Sequence, residues 1–469
     1  MINGPIGSQG KPQRILIASA PFIEEQDIIV GATINDFGVI PDRVYFYEGK
    51  LLEQGHCYVI TSQPVVAKTA DGQYFRSVKA AFANAEDLYD NGIYTTVETN
   101  YVKLLRPYIN GLDEDVAHEV GDYDPTYYDP TIIDIDYPVS LDLNGCTLSL
   151  DCDDDLCEWD SFYSGGFEVE SGGTLTIDDS GDSGCIDSGS KKNDTGFPII
   201  TNSGTVNILG GSLSHWESGQ VINSTGGTVN VSGGELYAYD SPSLTLSGST
   251  TIGNITSGAI GNNSEFDENI QILDGADCTI SGGVIYSKQD MSTITCRSTG
   301  TNEAASTLTV MWPNGEAPDS PSTDTKHEPV IYAKGAKHYI TAPISIESSA
   351  STNTAVVKIQ GGYLITSNDE HAVVFYTNNE TSTTANNLDL STFGNFYSNA
   401  TKIHKDGDTW HTKEEELADN YYELLSDDGN SLGSTTGHNF KAEYVNSGFA
   451  IPVLGDTTGS LYEIKPTGN

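Results

Sequence analysis

A short phrase of alternating aliphatic residues and paired glycines recurs along the middle of the chain. It reads GGTLTIDDSG at 172–181, GTVNILGGSLS at 204–214, GTVNVSGGELY at 227–237, CTISGGVIY at 278–286 and VKIQGGYLI at 357–365. The aligned aliphatic residues are 31, 23, 49 and 79 positions apart, and they are Ile177, Ile208, Val231, Ile280 and Ile359. The last two intervals are near two and three times about 25, which predicts a repeat of roughly 23 to 31 residues with loops inserted in some copies.

Each phrase has the chemistry of one coil of a parallel β-helix. Short strands stack inward residues on those of the next coil, and tight corners need glycine because it tolerates positive φ. The predicted corners are Gly210–Gly211, Gly233–Gly234, Gly282–Gly283 and Gly361–Gly362. The predicted inward stack is Val169, Leu175, Ile177, Val206, Ile208, Val229, Val231, Ile280, Val357 and Ile359. A sandwich of hairpins is the competing interpretation, but hairpins have no reason to repeat one phrase at multiples of about 25 residues.

The segments before the repeats have different patterns. Residues 1–65 carry short alternating runs separated by Gly and Pro, which predicts a small N-terminal β-domain for docking or anchoring. Over 66–139 we predict a capping helix and lead-in strands. The helical face is Phe75, Val78, Phe82, Ala85 and Leu88, and Ser77 is the candidate N-cap. An open β-helix end exposes unpaired backbone groups, so a cap is physically required.

The β-helix itself is predicted over 140–400, and the pattern changes again after it. Residues 401–469 lose the repeated phrase, which predicts a C-terminal cap or a small distal domain. Within it, KEEELADNYYELLSDDG at 413–429 suggests a short helix that ends at Gly429. Strands are predicted in FKAEYV and LYEIKP.

The opening of the repeats resembles a known class of protein. SLDLNGCTLSL at 140–150, FEVESGGTLTIDDSG at 167–181 and ITNSGTVNILGGSLS at 200–214 are similar to the opening and the rungs of right-handed parallel β-helix (pectate-lyase-like) proteins. That class includes pectate-lyase-like domains, bacterial surface adhesins and phage spikes or fibres. The resemblance covers roughly 74–400 and implies an all-β, right-handed parallel β-helix that associates as a homotrimer. It implies little about function, because the fold hosts many activities.

The net charge of the chain argues against nucleic acid as a partner. The formal net charge is −44, with 66 Asp and Glu against 22 Lys and Arg spread along the chain. Nucleic acid is therefore not expected as a partner, because binding phosphate requires basic patches.

No run of about 20 apolar residues occurs, so no membrane span is predicted. The N-terminal MINGPIGSQGKPQRILIAS lacks the pattern of a secretory signal. The first residues therefore predict either a trimmed chain or release by another route, such as assembly into a virus particle.

The cysteines do not form a disulfide pattern. Seven are present, an odd number without C-x-x-C spacing: Cys57, Cys146, Cys152, Cys157, Cys185, Cys278 and Cys296. Free and mostly buried thiols are predicted. Cys152 and Cys157 are the pair close enough in sequence for a local bridge.

Catalytic residues do not stand out from the many carboxylates. Asp178, Asp179 and Asp182 lie together at one predicted corner and are the candidates for hydrolysis of a glycan. The alternative is an acidic turn whose aspartates cap the backbone. Lys288 and Arg297 are the only basic residues from 203 to 302, which argues against an anionic polysaccharide substrate for a lyase. The sequence therefore favours a protein that is not an enzyme.

Metal binding has one candidate segment. Asp151, Asp153, Asp154 and Asp155 form the densest acidic run, and Ca²⁺ takes oxygen ligands of this kind. The spacing of an EF-hand loop is absent, so no cofactor is predicted and Ca²⁺ is the one ion left open. His404 and His411 flank Trp410, and we interpret them as surface residues rather than as ligands.

Aromatic residues supply the candidate binding surface. The residues that could stack on sugar rings are Trp159, Tyr163, Trp216, Tyr237 and Tyr239. Such residues equally often cover loops or subunit contacts.

These observations favour a virion structural protein. We expect a phage head fibre, capsid decoration protein or tail spike on the virion surface, bound to capsid or tail proteins through residues 1–65 and attached to a host-surface glycan or receptor. Two alternatives remain open, an extracellular or bacterial cell-surface adhesin that binds glycans, and a polysaccharide depolymerase of the lyase or glycoside hydrolase type.

Overall fold

A computed structural model describes most of the repeat region and parts of both ends. The described residues are 13–16, 57–60, 66–75, 77–109, 132–150, 166–188, 198–216, 219–265, 267–289, 291–298, 304–318, 328–334, 342–348, 355–367, 371–377, 393–400, 402–406, 421–423, 439–447, 449–451, 454 and 459–467.

The chain winds through three sheets in turn, and one strand from each makes a coil. Sheet 1 contains β7 Ile132–Ile135, β10 Gly166–Val169, β13 Ile200–Asn202, β16 Ile222–Ser224, β19 Leu244–Ser247, β22 Ile270–Leu273, β25 Ile294–Ser298, β28 Ile344–Ser348, β31 His371–Thr377, β33 Lys402–Asp406 and β34 Tyr421–Glu423. Sheet 2 contains β3 Ala67–Thr69, β4 Tyr74–Phe75, β5 Tyr101–Leu104, β8 Pro138–Asp142, β11 Thr174–Asp178, β14 Thr205–Ile208, β17 Thr228–Val231, β20 Ile252–Ile255, β23 Asp277–Ile280, β26 Thr307–Met311 and β29 Val356–Gln360. Sheet 3 contains β6 Tyr108–Ile109, β9 Thr147–Ser149, β12 Cys185–Asp187, β15 Ser212–His215, β18 Glu235–Ala238, β21 Ala259–Asn262, β24 Val284–Ser287, β27 Val330–Ala333, β30 Tyr363–Thr366, β32 Phe396–Ser398, β35 Asn439–Ser447 and β36 Ser460–Thr467.

Parallel pairing between successive coils confirms the predicted parallel β-helix. It runs from β5 on β8 to β31 on β33 without an antiparallel step inside the stack. A sandwich of hairpins is therefore excluded for this region, while the right-handed sense of the coil stays a prediction. No helix in the described segments is long and apolar enough to cross a membrane.

The aligned aliphatic residues form one inward column in sheet 2. Ile177 pairs with Ile208, and Ile208 pairs with Val231. Ile255 then lies between Val231 and Ile280, as the interval of 49 residues predicts. All ten predicted inward residues are buried, and their relative exposure does not exceed 5%.

One predicted interval is wrong. The 79 residues between Ile280 and Ile359 hold one intermediate member of the column, Val310, and therefore two coils instead of three. Two long segments, between β26 and β27 and between β27 and β28, explain the difference. Both belong to the coil that runs from β26 to β29, and they lengthen it. Loop length between strands leaves no signal in the aliphatic alternation.

The paired glycines form the predicted corners. The second glycine of each pair has positive φ, with values of 76° at Gly211, 70° at Gly234, 87° at Gly283 and 93° at Gly362. At Gly233 the close approach of coils adds a steric reason, because a Cβ atom there would lie 1.9 Å from the carbonyl oxygen of Leu209. The corner thus needs glycine for both conformation and space.

Asparagines on the outer face of sheet 2 bind one another along the stack. Asn207 Nδ2 donates to Thr176 Oγ1 at 3.0 Å, Asn230 to Asn207 Oδ1 at 2.8 Å, and Asn254 to Asn230 Oδ1 at 2.9 Å. These contacts join four consecutive coils from outside, whereas the aliphatic column joins them from inside.

The predicted capping helix closes the first coil. Helix α1 spans Val78–Asp90, and the Ser77 side chain caps it by accepting from Ala80 N. Val78, Phe82, Ala85 and Leu88 are buried as predicted, together with Ala81. Phe75 lies in β4 and packs on the same core.

Antiparallel strands end the ladders. At the start, β3 pairs antiparallel with β4 and β5. At the other end, β34 pairs antiparallel with β33, and the hairpin of β35 and β36 pairs antiparallel with β32. Each addition covers a sheet edge that would otherwise expose unpaired backbone groups.

The C-terminal strand predictions are confirmed, because FKAEYV lies in β35 and LYEIKP lies in β36. The predicted helix over 413–429 is wrong at Tyr421–Glu423, which form a strand paired with β33. Pairing of β33 with this segment overrides the helical propensity of its Glu and Leu residues. The rest of that segment lies outside the described residues, as does most of the predicted domain 1–65. From the latter, β1 Gln13–Leu16 and β2 Cys57–Ile60 form an antiparallel pair.

We expect the inward column to dominate stability. Changing Ile208 to alanine should lower the free energy of unfolding by about 2 to 5 kcal/mol, because it leaves a cavity in a fully buried stack. Changing the outward Thr205 on the same strand should alter it by only about 0.5 kcal/mol. Denaturant unfolding followed by circular dichroism compares the two, and equal effects would contradict the assignment of inner and outer faces.

Candidate functional site

The outer face of sheet 3 carries the residues that set this region apart. Inward residues of its strands, such as Leu213, Leu236 and Ile285, are buried. Outward residues alternate with them and pair along the stack in two columns. One column contains Cys185, Ser212, Glu235, Ala259 and Val284, and the other contains Asp187, Ser214, Tyr237, Gly261 and Tyr286.

The distal half of this face is covered. Trp312, Tyr363, Tyr397, Phe449 and Leu461 form a buried cluster over β27, β30 and β32. The rings stack closely, with centroids 5.1 Å apart for Tyr363 and Tyr397 and 4.8 Å apart for Tyr363 and Phe449. The accessible part of the face therefore lies around β12, β15 and β18.

Three predicted sugar-stacking residues meet at the border of this open part. The Trp216 ring lies 6.4 Å from the Tyr237 ring and 6.5 Å from the Tyr239 ring. Trp216 follows β15 and Tyr239 follows β18, so the parallel register of neighbouring coils brings them together. Trp216 and Tyr239 keep 43% and 42% of their surface exposed, which leaves ring faces available to a ligand.

A glycine makes room for a fourth ring. A Cβ atom on Gly261 would lie 2.2 Å from the Tyr286 ring, so the side chain of Tyr286 lies over Gly261 and points back along the stack. Its hydroxyl group donates to Glu235 Oε1 at 3.2 Å. Tyr286 and Glu235 are thereby linked across the coil between them.

A lysine joins the rings. Lys288 Nζ lies 4.8 Å from the centroid of the Tyr237 ring and 5.5 Å from that of Tyr286. Both distances are within the range of cation–π attraction. We call Trp216, Glu235, Tyr237, Tyr239 and Lys288 the sheet-3 patch.

Burial and acidic neighbours raise the pKa values of Tyr237 and Tyr286. Burial first, and then Tyr239 and Glu235, raise the pKa of Tyr237 above its usual value. Burial and the charge of Glu235 raise the pKa of Tyr286 much further. Both phenols therefore act as neutral groups that hydrogen-bond and stack at any physiological pH.

A shallow groove lies at the corner before sheet 3. Its lining residues are Asp179, Gly181, Asp182, Ser183, Gly184, Cys185, Gly211, Ser212, Gly234 and Glu235. Glu235 belongs to both the groove and the patch. The two features therefore adjoin on one face.

The three catalytic candidates are close in sequence, but the structure uses Asp179 as a cap. Its Oδ1 accepts from Gly145 N at 2.6 Å and from Gly181 N at 3.1 Å, and its Oδ2 accepts from Gly184 N at 2.7 Å. Asp178 Oδ1 accepts from Asp179 N at 2.8 Å. Asp182 is exposed in the groove. This arrangement matches the acidic turn whose aspartates cap the backbone, and the catalytic assignment itself stays a prediction.

The structure does not describe the metal candidates or the two remaining glycan-binding candidates. Asp151, Asp153, Asp154 and Asp155, and the aromatic residues Trp159 and Tyr163, are outside the described residues. His404 is in β33, whereas His411 is again outside them. Within the described ranges, no group of three His, Cys, Asp or Glu side chains is placed to hold a metal ion.

Four of the cysteines are free thiols. Cys146, Cys278 and Cys296 are buried, and Cys185 is half-buried beside the groove. Burial raises the pKa of the Cys278 thiol to about 12, so it remains protonated and unreactive. Cys57 lies in β2, and Cys152 and Cys157 are outside the described residues.

Comparison with known proteins adds no assignment. Neither models of protein families, nor curated proteins, nor solved structures match this chain. The site must therefore be interpreted from its own chemistry. Exposed aromatic rings beside carboxylates and hydroxyl groups are suited to bind a sugar, whose ring stacks and whose hydroxyl groups need acceptors.

Sequence reasoning missed Glu235 and Tyr286 as members of this site and did not connect Lys288 to it. One signal was present in the repeats. Tyr237 and Tyr286 each stand three positions after the second glycine of a Gly-Gly pair, in GGELY and GGVIY. Aligning the phrases would have placed both tyrosines in one outward column.

We expect Asp179 to stabilise the corner rather than react. Changing it to alanine removes an acceptor from three backbone N–H groups and should lower the free energy of unfolding by about 1 to 3 kcal/mol. Changing Asp182, which lines the same groove without capping a described backbone group, should have little effect. Thermal unfolding compares the variants, and an unaltered midpoint for the Asp179 variant would contradict the capping role.

Proposed function

We propose that the protein is a structural attachment protein that binds host-surface glycans through the sheet-3 patch. The observation that carries this proposal is the cluster of Trp216, Tyr237 and Tyr239 on the open half of one face. A contiguous group of exposed aromatic rings is typical of a surface that binds a ligand or partner. Rings that are separated by about 6.5 Å and differently tilted offer stacking surfaces for sugars.

The β-helix supports the proposal by holding the patch rigidly. Trp216 and Tyr239 follow strands that are locked by parallel pairing and by the buried residues Leu213 and Leu236. A preorganised site loses little conformational entropy when it binds. The acidic turn at Asp179 serves as a cap in the same region, which favours binding over hydrolysis.

For its place we propose the virion surface, as a homotrimeric head fibre, decoration protein or tail spike that docks through residues 1–65. The resemblance of the repeats to phage spikes and fibres supports this. The net charge of −44 also supports it, because like charge keeps densely covered particles dispersed.

We expect Trp216→Ala and Tyr239→Ala each to weaken glycan binding about 10- to 30-fold, as central aromatic residues of binding sites do. Tyr444→Ala is the matched control, because Tyr444 is also an exposed aromatic residue but lies in the C-terminal hairpin. Glycan-array binding of the three variants and the parent tests this. Undiminished binding by both patch variants would overturn the proposed site.

Immunogold electron microscopy tests the location. We expect antibody against the β-helix to label phage particles at projecting fibres, and light scattering of the purified protein to give three times the mass of the chain. Labelling of bacterial cell walls in place of particles would favour the adhesin, and a monomer in solution would overturn the homotrimer.

A further inference from the structure

We propose that the sheet-3 patch selects glycans that carry a carboxylate group, with Lys288 as the residue that recognises it. This rests on the proposed function of the same patch and adds the chemical class of its ligand. The observation that carries it is the position of the Lys288 ammonium group over the half-buried Tyr237 and the buried Tyr286, where Tyr237 also contacts the exposed Trp216.

Lys288 has no ion pair within the described part of the chain. Ion pairs in that part include those of Lys103 with Asp142, and of Lys465 with Glu443 and Glu463. The Lys288 ammonium group instead lies over the rings of Tyr237 and Tyr286, which fix its position without neutralising its charge.

Lys288 is one of few basic residues near the patch. Between residues 203 and 302 the other lysine or arginine is Arg297, which lies in β25 of sheet 1. Lys288 follows β24 of sheet 3, and Lys334 stands at the equivalent position of the next coil, because Ser287 pairs with Ala333. Tyr237 contacts both Lys288 and Trp216. Tyr237 therefore links the exposed Trp216 ring, where a sugar can stack, to the ammonium group within one patch.

The net charge of the chain and the carboxylate of Glu235 both oppose this selection, and the distance over which each acts determines how much it matters. The net charge of −44 repels an anion, but at physiological ionic strength charges beyond about 8 Å are largely screened. Glu235 is closer, and it accepts a hydrogen bond from the Tyr286 hydroxyl group. A ligand carboxylate that contacts Lys288 directly gains a short-range attraction that opposes the repulsion by Glu235, whereas a long polyanion would also meet the repulsion of the surrounding surface. We therefore expect sugars with isolated carboxylates to be preferred over densely charged polymers.

The test uses sugars that differ by one carboxylate. Sialyllactose and lactose form one pair, and a glucuronate-containing oligosaccharide and its carboxyl-reduced form make a second. The parent protein should bind the acidic member of at least one pair about 10-fold more tightly in calorimetry, and this preference should shrink as salt is raised. Lys288→Gln should bind both members equally, whereas Lys288→Arg should retain the preference.

The controls separate this inference from the proposed function. Trp216→Ala should weaken binding of both members of a pair, because stacking does not depend on the carboxylate. If the parent binds acidic and neutral members equally and Lys288→Gln changes nothing, the selection is wrong but glycan attachment stands. If no sugar of the array binds, or Trp216→Ala has no effect on any that does, the attachment site itself is wrong.

Discussion

The structure depends on the stacking of aliphatic side chains in strict register along the inside of the coil. Ile177, Ile208, Val231, Ile255 and Ile280 occupy equivalent positions on consecutive parallel strands. A shift of one residue at β14 or β17 would turn Asn207 or Asn230 into the aliphatic core and expose its aliphatic neighbours to solvent, and both changes cost free energy. The asparagine contacts outside the same sheet have the same register, so both faces specify one alignment.

Fixed register leaves the outward residues free to change without changing the fold. Along one column of sheet 3 the residues are Ser214, Tyr237, Gly261 and Tyr286, and each has a neighbour of different size. The sequence of small and large residues makes the patch: the absence of a side chain at Gly261 lets Tyr286 lie across the coil toward Glu235. The shape of this surface therefore depends on the missing side chain at Gly261 as much as on the aromatic residues themselves.

This division explains what the sequence could predict. The aliphatic column and its glycine corners were predictable because every coil needs the same residues for the same reason. The interval between Ile280 and Ile359 was misjudged because inserted loops carry no periodic signal. Trp216, Tyr237 and Tyr239 were identified as aromatic residues, but their contact depends on how neighbouring coils align after the strands end. The sequence shows Lys288 as one of few basic residues in its region. Its position over two rings depends on the space that Gly261 leaves for Tyr286, and no local sequence pattern reveals that space.

The patch lies on the side of the coil, between the helical cap and the C-terminal hairpin. The aromatic cluster of Trp312, Tyr363 and Phe449 seals the distal half of the same face against solvent, and Tyr286 and the half-buried Tyr237 continue it as far as the exposed Trp216. A site on the flank contacts a surface when the body lies along it or when several bodies present it outward together. If three copies associate, as we propose, one attachment raises the effective concentration of the other two patches, and weak single contacts suffice for firm adhesion. A modest affinity at each patch would then be a property suited to the assembly rather than a defect of the site.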